Sequence, residues 1–323
     1  MPSPYGRLKG ATNTARVTTR FVSMRLARFL GAFGRICISA GVLILLFVAY
    51  QLWGTSIQTA QAQDELQQDF ATILDTAAST TTVPPDPASP PTAPPTKPAA
   101  PGEPTAKIEI QKIGVDNIVV EGVSLSDLKK GPGLYPASPL PGQTGNSAIA
   151  GHRTTYGAPF NRIDELVPGD EIVITTPQGQ FRYFVSDEEG DGNGNQIVSP
   201  SQVEVLRDFG DNRLTLTACH PKYSARQRIV VVAKLAPETT ALPPRLGLDT
   251  TSVPADLDSI DGEGGSILPA VLLGLMALDI WLVAWILARH WRPWIAYGIG
   301  LPFFLIAVFF FFEEFSRLLP SSF

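Results

Sequence analysis

The chain has 323 residues and a formal net charge of −5 at pH 7, with its apolar residues gathered towards both ends. So modest a charge, with no basic stripe in the central part, excludes nucleic acid as a partner. The length allows one to three domains, so the placement of the apolar runs decides the organisation.

Residues 1–35 carry Arg7, Lys9, Arg16, Arg20, Arg25, Arg28 and Arg35 and no acidic residue. The run 36–53, Ile36 to Trp53, is uncharged, 267–288 is interrupted only by Asp279, and 294–312 has no charge. Each approaches the roughly 20 residues that cross a bilayer as a helix. The link between the last two runs holds Arg289, His290 and Arg292. Basic segments stay on the cytoplasmic side, so the sequence predicts a multi-pass protein of the cell membrane. The tail 1–35 is then cytoplasmic, the region between Gln58 and Gly265 lies on the extracellular face, and a short tail, 313–323, follows the third span. A cleaved signal peptide is the alternative for the first run, since Ala60-Gln61-Ala62 has the small residues of a cleavage site. Asp279 is costly in lipid and is expected to face another helix or the membrane edge; one such residue does not make a transport path.

Residues 58–105 read as an extracellular stalk. A short helix is expected around Asp64–Leu74, and Val83 to Pro104 holds ten prolines in 22 residues, a semi-rigid polyproline-like spacer. The folded part is 106–236, and a Pro-, Gly- and Ser-rich linker, 237–266, returns to the membrane. Within the core, alternating or β-branched runs predict strands at Lys107–Ile110, Asn117–Glu121, Ser147–Ala150, Glu171–Thr175, Phe181–Ser186, Arg213–Thr217 and Ile229–Leu235. Short helices are expected at Ser126–Lys130, capped by Ser124 or Ser126, and at Asn161–Leu166, capped by Asn161. Seven or eight short strands make a sandwich or a closed barrel; the barrel, with short helices at its edges, is the expectation.

The external region holds one cysteine, Cys219, and two histidines, His152 and His220. The other cysteine, Cys37, lies in the first span, so no intrachain disulfide joins them. Cys219 ends the strand RLTLTA, His152 follows SAIAG, and Arg228 opens IVVVA. Three strand ends at one rim would supply a nucleophile, an acid–base group and an oxyanion donor, the parts acyl transfer needs. At unperturbed pKa values about a quarter of the imidazole is protonated at neutral pH. His220 competes for the base role, but alternation turns it away from Cys219, and Pro221 restrains it. Arg226 competes with Arg228, which abuts the apolar run.

Each residue also has a plain reading: a small buried thiol, a structural histidine, a surface arginine. Zinc is disfavoured because Cys219, His220 and His152 lack ligand spacing. The run Asp187 to Gln196 could hold Ca²⁺ through Asp187, Glu189, Asp191 and Asn193, but it lacks the closing glutamate of an EF-hand loop, and a solvated turn is the expectation. No metal or other cofactor is expected.

"AIAGHRTTYGAPFNRIDELVPGD" (148–170), "LTLTACHP" and "RQRIVVVA" together resemble the sortases, membrane-bound cysteine transpeptidases of Gram-positive bacteria, and most the class E group of actinobacteria. The resemblance covers Ala106 to Ala236. It implies an eight-stranded sortase-type β-barrel with His152, Cys219 and Arg228 at the catalytic positions. It also implies cleavage of a C-terminal LAxTG- or LPxTG-type sorting signal between Thr and Gly on secreted proteins, and transfer through a thioacyl intermediate to an amine of a cell-wall precursor. Tyr135, in "GPGLYPASPLPGQTGN", matches a substrate-contacting tyrosine of class E. Two features depart from the family: Ala218 stands where Thr usually precedes the cysteine, removing a possible hydroxyl contact to substrate, and two apolar spans follow the core. A catalytically silent, sortase-shaped envelope binding module is the competing reading. An L,D-transpeptidase would carry a Ser-x-Gly-Cys signature, which "TLTAC" lacks.

Overall fold

The computed structural model describes residues 12–80, 98–136, 138–187, 192–245, 266–290 and 292–316. The chain divides into two units between Ala49 and Tyr50. The first contains one helix, α1 (Thr12–Ala49). The second opens with a π-helical turn, Tyr50–Gly54, and helix α2 (Thr55–Thr80), continues through the β-structure, and ends with α4 (Ile267–His290) and α5 (Pro293–Ser316).

The β-structure comprises β1 (Pro104–Ile110), β2 (Val115–Glu121), β3 (Gly133–Leu134), β4 (Asn146–Ala150), β5 (Glu171–Thr176), β6 (Gly179–Val185), β7 (Asn195–Val198), β8 (Arg213–His220) and β9 (Gln227–Leu235). Their order is β6-β5-β1-β2-β3-β4-β8-β9, and a β9–β6 pairing closes eight strands into a barrel. Strand β7 is additional. It pairs with β9 at residues 228–231, while β6 pairs with the same strand at 233–235. The expected strands all form. Strands β3 and β7 were not foreseen, because one is a two-residue segment inside a Gly- and Pro-rich run and the other a short stretch after a Gly-rich loop.

Alternate residues fill the barrel. Ile108, Ile110, Ile172, Ile174, Phe181, Tyr183, Leu214, Leu216, Ile229 and Val231 are buried in one cluster; each fully buried aliphatic or aromatic side chain contributes about 1.5–3 kcal/mol. A second cluster lies on the outside, where Ala148, Ala150, Val230 and Val232 are covered by Val123, Leu128, Tyr135 and the partly buried Val203, Val205 and Leu206. Helix α3 (Leu125–Leu128) is a single turn with Ser124 as cap: its Oγ accepts from the Asp127 N–H, and the Asp127 carboxylate accepts from the Ser124 N–H. The helix expected at Asn161–Leu166 is a 3₁₀ turn, Ile163–Glu165, preceded by Arg162 without a side-chain cap. Asn161 instead donates to the Arg153 carbonyl at 2.8 Å.

Helix α2 is longer than the short helix expected around Asp64–Leu74, and it docks on the barrel. Leu66 and Phe70 pack on Ile118 and Val120. Gln63 mimics a strand: its Oε1 accepts from the Ile118 N–H at 2.7 Å and its Nε2 donates to the Ile118 carbonyl at 3.0 Å. Strand β3 pairs with β2 only at Val120 and Glu121, so this amide satisfies an edge the sheet leaves open. Residues 81–97, most of the expected proline-rich spacer, lie outside the described residues.

Packing also continues beyond Ala236. Leu242 joins the barrel core, its N–H donates to the Gly142 carbonyl, and its carbonyl accepts from the Thr144 N–H. Arg245 and Glu121 form a bidentate pair at 2.6 and 2.9 Å with side-chain exposures of 0% and 5%. Much of the expected linker, residues 246–265, is outside the described residues.

Among the described residues, three helical runs, Phe29–Ser79, Ile267–His290 and Pro293–Ser316, are long and apolar enough to cross a membrane. The last two approach closely at Gly300, where a Cβ would lie 2.7 Å from that of Ala284, small-residue packing of the kind membrane helices use.

Candidate active site

The antiparallel β8–β9 ladder runs from Arg213 opposite Lys234 to His220 opposite Gln227, and sets Cys219 opposite Arg228. Directly opposed residues emerge on one face with Cβ atoms about 4.5–5.5 Å apart. Leu214, Leu216 and Ala218 are inside the barrel with Ile229 and Val231, so Thr215, Thr217 and Cys219 face outward with Arg228 and Val230. The site therefore lies on the outer face of the wall near its end. Ala218 points the other way, into the core; a hydroxyl there would enter the barrel and not the Cys219 face.

Strand β4 runs parallel to β8 with Ala150 opposite Thr217, and the Gly151 N–H adds one more bond to the Thr217 carbonyl at 3.0 Å. His152 comes next, at the end of the sheet that carries Cys219. The loop then folds back: the Phe160 N–H donates to the His152 carbonyl at 3.1 Å. A Cβ on Gly151 would lie 2.6 Å from the buried Phe160 ring, so only glycine fits. Tyr156, Gly157 and Ala158 have φ of 52°, 73° and 44°. Such conformations are unusual for side-chain-bearing residues and need support from their surroundings.

The His152 ring lies 5.1 Å from that of Tyr156. Its Nε2 is buried and has no hydrogen-bond partner among the described residues. Burial pushes its pKa down to about 4, and the positive charge of Lys129 acts in the same direction. The imidazole is therefore neutral at neutral pH, unlike the partly protonated ring expected from unperturbed values.

Arg228 is buried, and its Nη1 donates to the Ala225 and Gln227 carbonyls at 2.9 and 3.0 Å. Arg226 is exposed, in the turn before β9. His220 ends β8 and has a different engagement. Its Nδ1 is 3.1 Å from Arg153 Nη1; a guanidinium only donates, so this nitrogen accepts. Burial, then the Arg153 charge, lowers the His220 pKa. The His220–Pro221 peptide is cis.

Arg153 itself had no distinguishing mark in the sequence beyond its place after His152. It is buried, donates to the Cys219 carbonyl at 3.3 Å, and pairs with Asp164 at 2.9 Å. It thus ties the backbone of the thiol to the histidine loop. Tyr135 is buried over the outward face, its Oη 3.3 Å from Thr217 Oγ1, two residues before Cys219. Neither Cys219 nor Cys37 is in a disulfide. In the acidic run, Asp187 Oδ1 accepts from the N–H groups of Gly192 and Gly194; Glu189 and Asp191 lie outside the described residues.

Residues 108–236 match the Sortase domain family. Sortase D of Bacillus subtilis is 30% identical over 185 residues, covering 57% of this chain and 86% of that protein. The chain belongs to the sortase family. Sortase SrtE1 of Streptomyces coelicolor is 34% identical over 227 residues, 64% of this chain; this sortase spans only 57% of that relative's length. Among solved structures, sortase E from Streptomyces avermitilis is 35% identical, covering 43% of this chain and 91% of that one, with a TM-score of 0.37. Sortases are cysteine transpeptidases, the chemistry for which a cysteine, an arginine and a histidine at one sheet end are suited.

Proposed function

We propose that this sortase is a membrane-anchored transpeptidase of the class E type that cleaves LAxTG- or LPxTG-type sorting signals between Thr and Gly and joins the protein to a cell-wall amine. The observation that carries this reading is the opposition of Cys219 and Arg228 at the end of β8–β9. The Cys219 sulfur attacks the threonine carbonyl carbon, and the Arg228 guanidinium donates to the oxyanion that forms. His152 is neutral at the outset, so it takes the thiol proton and delivers it to the glycine nitrogen as the C–N bond breaks. The acceptor amine then attacks the thioester, His152 removes its proton, and the thiol is regenerated. Tyr135 lines the substrate groove.

The three apolar helical runs support a multi-pass arrangement, and the basic residues of 1–35 together with Arg289, His290 and Arg292 support placing the barrel on the extracellular face. The partners in this reading are secreted proteins bearing a sorting signal, a cell-wall precursor amine and the lipid membrane. In this reading the catalytic barrel is 106–236, with α2 and the segment around Leu242 and Arg245 packed on it.

The test is incubation of the full chain in detergent or nanodiscs with LAxTG and LPxTG peptides and an amine acceptor. Cleavage at Thr–Gly with a new amide product, lost in Cys219→Ala, is the expected result. A folded protein that cleaves neither peptide sinks the enzyme reading and favours a silent envelope module.

A further inference from the structure

The loop that carries His152 does not rest on the barrel alone. The buried Thr55 Oγ1, on α2, accepts from the Tyr156 N–H at 3.1 Å while donating to the Gln51 carbonyl at 2.9 Å. One helical turn on, the buried Thr59 donates to the Lys129 carbonyl at 2.8 Å. A further turn on, Gln63 donates to the Lys130 carbonyl at 2.8 Å as well as bonding Ile118. Residues 55, 59 and 63 lie on one stripe of α2 by the i, i+4 rule, and all three are polar where a docking helix ordinarily presents aliphatic side chains.

The Thr55 and Thr59 bonds reach two residues that bear on His152. The Tyr156 ring is 5.1 Å from His152, and Lys129 Nζ is 5.6 Å from the Tyr156 ring. Tyr156 and Ala158 hold left-handed conformations, and between them Gly157 passes so near Thr59 that a Cβ there would lie 3.4 Å from its Cγ2. A backbone of that kind needs an outside hold, and the Thr55 hydroxyl supplies one at the first of those residues. Residues 55–63 all precede the stretch 108–236 that matches the sortase domain, so the hold comes from outside that domain.

We propose that Thr55 and Thr59 are positioning residues, through which α2 fixes the Tyr156 loop and the Lys129 turn against His152 and so belongs to the working site. The proposal rests on the catalytic role given to His152 above. It makes the helix directly after the first apolar run a part that the barrel needs to be fully active.

The experiment compares the full chain with Thr55→Val and Thr55→Ser variants by peptide transpeptidation and by hydrogen exchange over 151–160. Valine keeps the shape and removes the acceptor; serine restores it. The expected result for Thr55→Val is a fall in kcat of roughly tenfold, KM within twofold of the parent, and faster exchange confined to the Tyr156 loop, with Thr55→Ser recovering both. Parental kcat and exchange in Thr55→Val would overturn the proposal, as would a loss spread through the barrel that serine does not rescue. Exchange needs no turnover. If the parent proves inactive while the loop still loosens in Thr55→Val alone, the positioning contact stands and the catalytic reading fails.

Discussion

Cys219 and Arg228 are direct cross-strand partners in the β8–β9 ladder, outward-facing, with the buried Arg228 anchored to the Ala225 and Gln227 carbonyls. The register of two strands thus sets these two side chains next to each other on one face of the sheet. Arg226, in the exposed turn, lacks both the register and the burial.

Arg228→Ala should lower kcat by about 10²–10³, the usual cost of removing an oxyanion donor. Arg228→Lys should recover only part, because a lysine cannot hold the carbonyls and the oxyanion with one planar group. Arg226→Ala should stay within twofold of the parent. An Arg228→Ala enzyme with near-full turnover would overturn the assignment.

His152 gives stability a defined pH dependence. Its folded pKa of about 4 lies below the 6.5 of an unfolded chain. Between those values the unfolded chain binds the proton and the folded one does not, so stability is full above about pH 6.5 and falls as pH drops towards 4. The 2.5-unit difference sets an upper limit of about 3 kcal/mol. Urea unfolding of the parent and His152→Gln at pH 7 and pH 4.5 should show the parent losing more. Lys129→Ala should move the His152 imidazole titration upward, read by NMR.

The Glu121–Arg245 pair should matter for folding. With both side chains almost wholly buried, Arg245→Ala leaves a carboxylate without its counter-ion, at a cost of about 3–5 kcal/mol. Arg245 also donates to the Pro136 and Ser138 carbonyls at 3.2 and 2.9 Å, so the loop following Tyr135 should loosen as well. Denaturant unfolding together with proteolysis between residues 134 and 143 checks both. A shift under 1 kcal/mol would mean the pair contributes little.

Ala218→Thr should make the enzyme more family-like in sequence and worse in stability. The side chain is 4% exposed and packed inside the barrel, opposite Ile229. Added volume there costs about 1–3 kcal/mol, and a buried hydroxyl finding no partner adds to that. The expected outcome is a lower unfolding midpoint with peptide kcat unchanged within twofold. A clear gain in turnover on LAxTG peptide would mean the residue reaches the substrate face.

Much of the candidate site was legible because strand chemistry is local. The period-2 pattern of "RLTLTACH" and "QRIVVVAKL" marks two strands, and a turn between them makes a hairpin that brings Cys219 and Arg228 together. Apolar run length marked the candidate spans in the same way. Placing His152 at that end of the sheet needed the parallel β4–β8 pairing, which joins segments about 65 residues apart and leaves no sequence periodicity to read.

What the sequence alone determined, then, is the strand-rich core, the apolar runs, and the residue types able to perform acyl transfer, all set by composition and short-range pattern. What only the tertiary structure decided is how those groups are held. Gln63 supplying β2 with a partner, Thr55 holding the Tyr156 amide, Arg153 bridging Cys219 and His220, Arg245 closing on Glu121, and the burial that keeps His152 neutral are contacts across long separations. The physical reason is that a polar side chain carries no mark of where its partner lies. A threonine in a helix reads the same whether it meets water or a backbone amide a hundred residues away, and only packing the chain tells the two apart.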